Sequence, residues 1–286
     1  MRALLARLWR IFTAPIRLLL RPFQGLREFF AYDAPDTSTA DVISQTLENP
    51  SVLLEHLEAL RKHLLRALIA LVITTALSAT FEPRILEFLA KPAGGIEVTQ
   101  GIEVTEGVEV FMRVSLLSGF TLALPYLLFE LFLFANPGLK RRERAVMLTA
   151  IPFAFLLFLA GILFAYGIML PVGVPFLLYS TGISIKPRPI NLISFTTSVL
   201  FWIGIAFEFP LIIYLLASFG IVSARTLARG WRVAVVLIAI IAAVVTPTVD
   251  PVNMGLVMLP MTVLYFLSIF LAAIAGRRRA SNTAQE

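Results

Sequence analysis

The 286-residue chain contains no cysteine, and its only histidines are His56 and His63. The absence of cysteine excludes disulfides, thiolate metal sites and cysteine nucleophiles. Both histidines precede the first long apolar run, which also excludes a multi-histidine metal site inside a membrane. We therefore predict that the protein has no metal and no cofactor.

Charged residues are scarce as well. They make up 15% of the chain, whereas a soluble domain carries roughly 25%. Hydrophobic residues make up 58%, and the mean hydropathy is +0.87. The net charge of +6 comes from basic residues clustered between apolar runs, which is typical of topology signals and contact with anionic lipids. This pattern indicates a polytopic membrane protein that contacts membrane lipids and no nucleic acid.

Six apolar runs predict an all-α protein with six transmembrane helices. The fifth run has 14 residues, or roughly 21 Å at ~1.5 Å per residue, against a hydrocarbon core of ~30 Å. We place the spans at about residues 64–81, 114–135, 145–170, 195–219, 233–246 and 254–275, within a domain of residues 51–275.

Cationic residues concentrate in alternate segments between the spans, as the positive-inside rule describes. We therefore expect a multi-pass protein of the cell membrane with both termini in the cytoplasm. Residues 1–50 are expected to form a basic amphipathic extension on the membrane surface, followed by a linker; a disordered basic tail is the open alternative. Residues 276–286 are expected to form a cytoplasmic tail.

The first external loop contains a tandem repeat of three hexads, GIEVTQ, GIEVTE and GVEVFM, over residues 95–112. Its alternation of Ile or Val with Glu or Thr predicts an extended segment or a small hairpin. A duplicated insertion without a function of its own is the interpretation that we favour.

Three acids lie in or beside the apolar runs. Glu143 is the only acid among the cations of the turn at residues 134–144, so it either belongs to a membrane stop signal or is ready to bind a cationic guest. Glu130 either pairs with a nearby arginine or has a function. Glu208 lies in mid-span, where a charge costs roughly 2.5–3.5 kcal/mol, so it faces a groove or bonds a neighbouring helix as a neutral acid.

Nothing in the sequence supports catalysis. The chain has no Ser–His–Asp set, no Gly-rich phosphate loop and no paired aspartate motif. We therefore predict that the protein is not an enzyme.

The chain resembles the TatC family of the twin-arginine protein translocase over about residues 53–275. The resemblance is specific because four motifs occur in order. They are His56-Leu57 with Leu60-Arg61-Lys62, the segment 114–144 that includes Gly119, Pro125, Glu130, Pro137 and Glu143, Phe207-Glu208-Phe209-Pro210, and Thr246-Pro247 with Asp250-Pro251 and Asn253-Met254. The family is described as a concave, glove-like bundle of six helices, and the resemblance implies that fold here.

The resemblance also implies a function. TatC proteins recognise the paired arginines in signal peptides of folded cargo, work with the single-span proteins TatA and TatB, and nucleate a translocase driven by the proton-motive force. The acid at the position of Glu143 contacts the arginines. The implied homo-oligomeric receptor complex would bind the signal peptide through Glu143, Glu58, Arg61, Lys62, Leu139 and Arg141, with Glu208 and Glu130 as intramembrane polar groups in a partner groove and Asp250 in the last periplasmic turn.

One position departs from the family pattern. A second family acid in the N-terminal helix aligns with Ala59, and Glu58 lies one residue earlier, which moves the carboxylate by about 100° around a helix. Either Glu58 or Glu55 replaces that acid, or the site relies more on Glu143.

Two other function classes stay open at this point. A proton-coupled secondary transporter would use Glu208 and Glu130 as coupling acids, although the two halves of the chain show no convincing repeat of the kind found in transporters. An intramembrane enzyme is disfavoured because the catalytic sets are absent.

Overall fold

The computed structural model describes residues 50–139, 141–179, 186–246 and 250–283. Within these ranges the chain is helical, without a strand, which confirms the all-α prediction. The extension predicted for residues 1–50 lies outside the described residues except for Pro50. The helices are α1 (Pro50–Ala79), α2 (Glu82–Ala90), α3 (Glu106–Ala135), α4 (Arg141–Phe164), α5 (Leu170–Tyr179), α6 (Pro189–Phe219), α7 (Ala224–Arg229), α8 (Trp231–Val245) and α9 (Pro251–Thr283).

Five helical stretches in the described part of the chain are long and apolar enough to cross a membrane. The sixth apolar helix, α8, is shorter: its 15 residues extend over roughly 22 Å. The predicted short fifth span falls on this helix. The five long stretches are Leu54–Ala79, Glu106–Gly138, Glu143–Tyr179, Pro189–Phe219 and Pro251–Arg277.

The third apolar stretch continues further than the sequence predicts. We expected the helix to end near Leu170, where Pro171 and Pro175 follow, but a π-helical segment (Ala165–Met169) joins α4 to α5, and α5 ends at Tyr179. Pro171 falls in the first turn of α5, directly after the wider π turn, where the backbone hydrogen bonding is already irregular. The prolines therefore lie within a continuous helical segment.

The prediction of an extended segment or hairpin for the hexad repeat is wrong. Residues Ile96–Val98 form a short 3₁₀ helix, and the third hexad lies in the first two turns of α3. Glu106 explains the change, because its Oε1 accepts hydrogen bonds from the backbone N–H groups of Ile102 and Glu103. The loop is thereby closed onto the start of α3, and the apolar helix that follows extends back into the repeat.

The backbone packing divides the chain into two compact units. The first comprises residues up to Thr74 together with Leu122–Thr149, so its described part contains most of α1, the second half of α3 and the start of α4. The second comprises Thr75–Thr121 and Ala150–Glu286.

The core of the second unit forms around α6, which packs along α9. Its fully buried side chains include Leu170, Ile193 and Ile203. A Cβ atom on Gly161 would lie 2.9 Å from the backbone of Gly204, so α4 and α6 approach each other through glycine.

Candidate functional site

The predicted signal-peptide-binding residues all belong to the first unit. They lie on the exposed side of α1 and around the turn that joins α3 to α4. Glu208 and Asp250, by contrast, belong to the second unit.

The turn between α3 and α4 is a 3₁₀ segment, Asn136–Gly138, in which Asn136 is buried. The backbone N–H of Leu139 donates to the carbonyl of Asn136 at 3.0 Å. Arg144 then donates from Nε to the carbonyl of Leu139 at 3.0 Å, and only 5% of Arg144 is exposed. From the sequence, Arg144 is one of several cations of the turn, whereas in the structure its side chain is buried and closes the turn.

Glu143 lies in the first turn of α4 and is partly exposed. A carboxylate in the first turn of a helix is favoured by the free N–H groups and the positive end of the helix dipole. Leu139 is also partly exposed, and the side chain of Arg141 lies outside the described residues. An acid in this position can accept hydrogen bonds from a planar guanidinium, which matches a carboxylate in a two-pronged geometry.

On α1, Glu58 and Lys62 form an ion pair of 2.8 Å across one helical turn. Both side chains are 62% exposed, and Arg61 and Glu55 are also exposed. An exposed ion pair of this kind is weak because water and salt screen both charges, so Glu58 can exchange Lys62 for another cation at little cost. The geometry leaves both Glu58 and Glu55 accessible as replacements for the family acid at Ala59.

Glu130 is enclosed, and its side chain is only 2% exposed. Its Oε2 lies 2.6 Å from Nδ1 of His63 and 3.9 Å from a guanidinium nitrogen of Arg66, both on α1. Its Oε1 accepts a hydrogen bond from the hydroxyl of Tyr126, one turn earlier on α3, at 2.6 Å. From the sequence, Glu130 stayed open between pairing with an arginine and a function, and these three partners were not predicted. Spacings of three residues between His63 and Arg66 and of four between Tyr126 and Glu130 were the available signal.

Glu208 is also buried, with 6% of the residue exposed. In the described part of the chain, its Oε1 has no hydrogen-bond partner. Asp250 has a structural position that the sequence did not predict, at the start of α9. Its Oδ1 accepts from the backbone N–H of Asn253 at 2.7 Å, and its Oδ2 accepts from the Asn253 side chain at 3.0 Å.

Among the described residues, no group of three or more His, Asp or Glu side chains could hold a metal ion. The features that remain are long apolar helices, a charged and exposed α1 segment, and an acid at the start of α4. Together these define a polytopic helical membrane protein with an acidic site at the first turn of α4.

Comparison with known proteins identifies the family. The family model described as Sec-independent protein translocase protein (TatC) matches residues 55–260. The chain belongs to the TatC family.

Two named relatives are similar over most of their length. The TatC protein of Carboxydothermus hydrogenoformans is 34% identical over 228 residues, which cover 79% of this chain and 94% of the relative. That of Deinococcus radiodurans is 33% identical over 232 residues, covering 78% and 86%. A crystal structure of the twin arginine translocase receptor TatC superposes with a TM-score of 0.69 at 30% identity, covering 77% of this chain and 99% of that one. The chain is therefore a protein translocase component with the TatC fold.

Proposed function

We propose that this chain is the receptor that binds twin-arginine signal peptides of folded cargo and nucleates assembly of a translocase driven by the proton-motive force. The observation that carries the proposal is the acid Glu143 at the start of α4, in the same unit as the exposed charged face of α1. Glu143 binds one guanidinium, and Glu58 binds the second after leaving Lys62. Arg61, Lys62, Leu139 and Arg141 line the same site.

The local geometry favours an arginine pair over other cations. Arg144 fixes the turn from within, because its Nε is bonded to the Leu139 carbonyl, and this holds the start of α4 in place. The carboxylate therefore approaches the peptide from a rigid turn, which reduces the ordering that binding requires. Lysine carries the same charge but lacks the planar two-pronged donor set.

The test uses a twin-arginine signal peptide carrying a photo-crosslinker, with a twin-lysine peptide as its matched control. Glu143→Gln is expected to reduce crosslinking and export of a twin-arginine cargo about tenfold or more, because the bound arginine of the peptide loses a charged partner. Glu58→Gln is expected to have a smaller effect. Glu87→Gln, which changes an exposed acid on α2, should leave both readouts at the wild-type level. Wild-type crosslinking and export in Glu143→Gln would contradict this site.

The proposal includes a topology and partners. Both termini and the turn before α4 face the cytoplasm across the cell membrane, and Asp250 faces outward. The absence of cysteine allows single introduced cysteines at Pro137 and Val104 to be labelled from either side, and only Pro137 should be protected in intact cells.

TatA- and TatB-like single-span proteins bind at the membrane groove that contains Glu208, with Glu130 as a second polar group of the membrane region. Several copies form the receptor complex, and co-purification with size measurement tests both points.

The receptor works without an enzymatic step of its own. The comparisons do not support the alternative function, a proton-coupled secondary transporter with Glu208 and Glu130 as coupling acids. Glu130 is bonded to His63 and Tyr126 inside the first unit, which fits a structural role better than a coupling role.

A further inference from the structure

We propose that Glu130 and His63 are positioning residues that hold the charged segment of α1 in place beside the turn before α4. The proposal rests on the proposed function, since the segment in question carries Glu58 and Lys62. It assigns no direct contact with the signal peptide to Glu130, whose side chain is only 2% exposed.

The first part of α1 buries little apolar surface of its own. Leu54, Leu57, Leu64 and Leu68 are between 51% and 66% exposed. Leu54 and Leu57 therefore gain little from burial of apolar area within the first unit. Leu64 and Leu68 lie in the predicted first span, where lipid tails are as apolar as a neighbouring helix and give no drive for α1 to pack on α3. Polar and aromatic contacts must therefore contribute more to the position of this segment.

Those contacts converge on the second half of α3. His63 and Arg66 reach Glu130, at 2.6 Å and 3.9 Å. One turn further along α3, the ring of Phe134 lies 4.7 Å from the ring of His56 and 6.3 Å from that of His63. His63 thus contacts both the buried carboxylate and the aromatic ring that precedes the turn.

The arrangement connects the two halves of the proposed site. On α1, Lys62 directly precedes His63, and Glu58 is paired with Lys62 at 2.8 Å. On α3, Phe134 is two residues before Asn136, where the 3₁₀ turn begins, and Glu143 follows that turn. The buried carboxylate bonded by Tyr126 and His63 has low freedom to move, so it fixes the distance between these two acidic regions.

Glu130 is suited to this role because its bonds are distributed over two helices. Tyr126 restrains the carboxylate from α3 itself, at 2.6 Å, so that it is already oriented when His63 meets it. A glutamine keeps an oxygen acceptor and an NH₂ donor of nearly the same shape, whereas a leucine leaves the polar groups of His63 and Tyr126 without their partner. The two substitutions therefore separate positioning from charge.

The cysteine-free chain makes the distance measurable. Spin labels at Leu54→Cys, an exposed position on α1, and Pro137→Cys in the turn report their separation in liposomes, and a fluorescent twin-arginine peptide reports affinity. We expect Glu130→Leu and His63→Leu to broaden the distance distribution and to weaken peptide binding about tenfold, with the double variant no worse than either single one. Glu130→Gln is expected to restore both a narrow distribution and near-wild-type binding. Glu208→Gln, a buried acid of the second unit, should leave the label distance unchanged.

Three results would contradict the proposed roles of Glu130 and His63. An unchanged distance distribution in Glu130→Leu, or equal losses in Glu130→Gln and Glu130→Leu, overturns the positioning role. Additive losses in the Glu130→Leu/His63→Leu double variant overturn the action through His63. If wild-type protein does not distinguish twin-arginine from twin-lysine peptide, the proposed function fails, while the distance measurement still tests whether Glu130 and His63 position α1. A variant that does not fold is recognised by its lost melting transition. His63→Gln, which keeps a polar group but loses the ring that contacts Phe134, then carries the distance test, and an unchanged distribution in it overturns the positioning role.

Discussion

Arg188 donates from Nε to Oε1 of Glu106 at 2.8 Å, although 82 residues separate them in the chain. A second guanidinium nitrogen lies 2.9 Å from Glu103, and the backbone N–H of Gln100 donates to the carbonyl of Pro187 at 3.0 Å. The hydrogen-bonded carboxylate of Glu106, together with that of Glu103, raises the pKa of Arg188 above its usual value. Consecutive hexads of the repeat are thus fastened to the two residues that precede α6, which gives the repeat a structural role.

Arg188→Ala is therefore expected to release the loop between α2 and α3. Glu106, of which only 2% is exposed, would lose its charged partner and keep only the backbone donors of Ile102 and Glu103. A spin label at Val104→Cys, a fully exposed position in the same loop, should give a sharper and more mobile spectrum in the Arg188→Ala background. Lys186→Ala removes an exposed cation two residues away and serves as the control. Identical spectra in the two backgrounds would show that Arg188 does not restrain the loop.

Much of the fold follows from the sequence because apolar length and spacing determine it. The long apolar runs predict the helices of the membrane region, and the short fifth run predicts the short helix α8. The end of the third stretch could not be predicted, because a π-helical turn lets the chain continue through Pro171. The repeat was misinterpreted because its alternation is local, whereas Glu106 is held by a partner 82 residues away.

The site was predictable only in part. Glu143 and Glu58 were predicted from the charge pattern and from the family resemblance. In the structure Glu58 is exposed and Glu143 is partly exposed. The burial of Arg144 and the partners of Glu130 depend on which faces of α1, α3 and α4 turn toward each other. One-dimensional spacing gives the helical face but not its neighbour, so contacts between helices had to come from the structure.

Asp250→Ala is expected to destabilise the start of α9. Asp250 accepts hydrogen bonds from the backbone and side chain of Asn253, and removal of such an N-terminal cap costs about 0.5–2 kcal/mol. The melting temperature in detergent should fall by a few degrees. Asp250→Asn keeps an oxygen acceptor and should remain close to wild type. Equal losses in both variants would assign the effect to the charge of Asp250 and contradict the capping role.

Glu82→Gln is expected to change the pH dependence of stability. Burial raises the pKa of Glu82, which lies at the start of α2 with 8% of its surface exposed. A raised pKa in the folded state means that the stability contributed by the neutral acid is present below the ordinary value and is lost as pH rises through the folded pKa. The melting temperature of the wild type relative to Glu82→Gln should therefore decrease from pH 4 to pH 8. Glu87→Gln, which alters an exposed acid on the same helix, is the matched control and should follow the wild type. Parallel curves for Glu82→Gln and wild type would contradict the burial argument.

Gly119→Ala is expected to destabilise the packing of α3 against α1. A Cβ atom there would collide with Oγ1 of Thr75 and would lie 2.5 Å from its Cα, so α1 and α3 meet with no space for a side chain. Rotation of the Thr75 side chain cannot relieve a contact with its backbone, and the helices must separate at a cost of about 1–3 kcal/mol. Gly107→Ala on the same helix meets nothing within 4 Å and should be neutral or stabilising by about 0.5–1 kcal/mol, because alanine favours helix more than glycine does. Thermal unfolding of the two variants gives the comparison, and Thr75→Ala combined with Gly119→Ala should recover little, since the contact with Cα remains. Equal melting temperatures for Gly119→Ala and Gly107→Ala would contradict the close approach of α1 and α3 at Thr75 and Gly119.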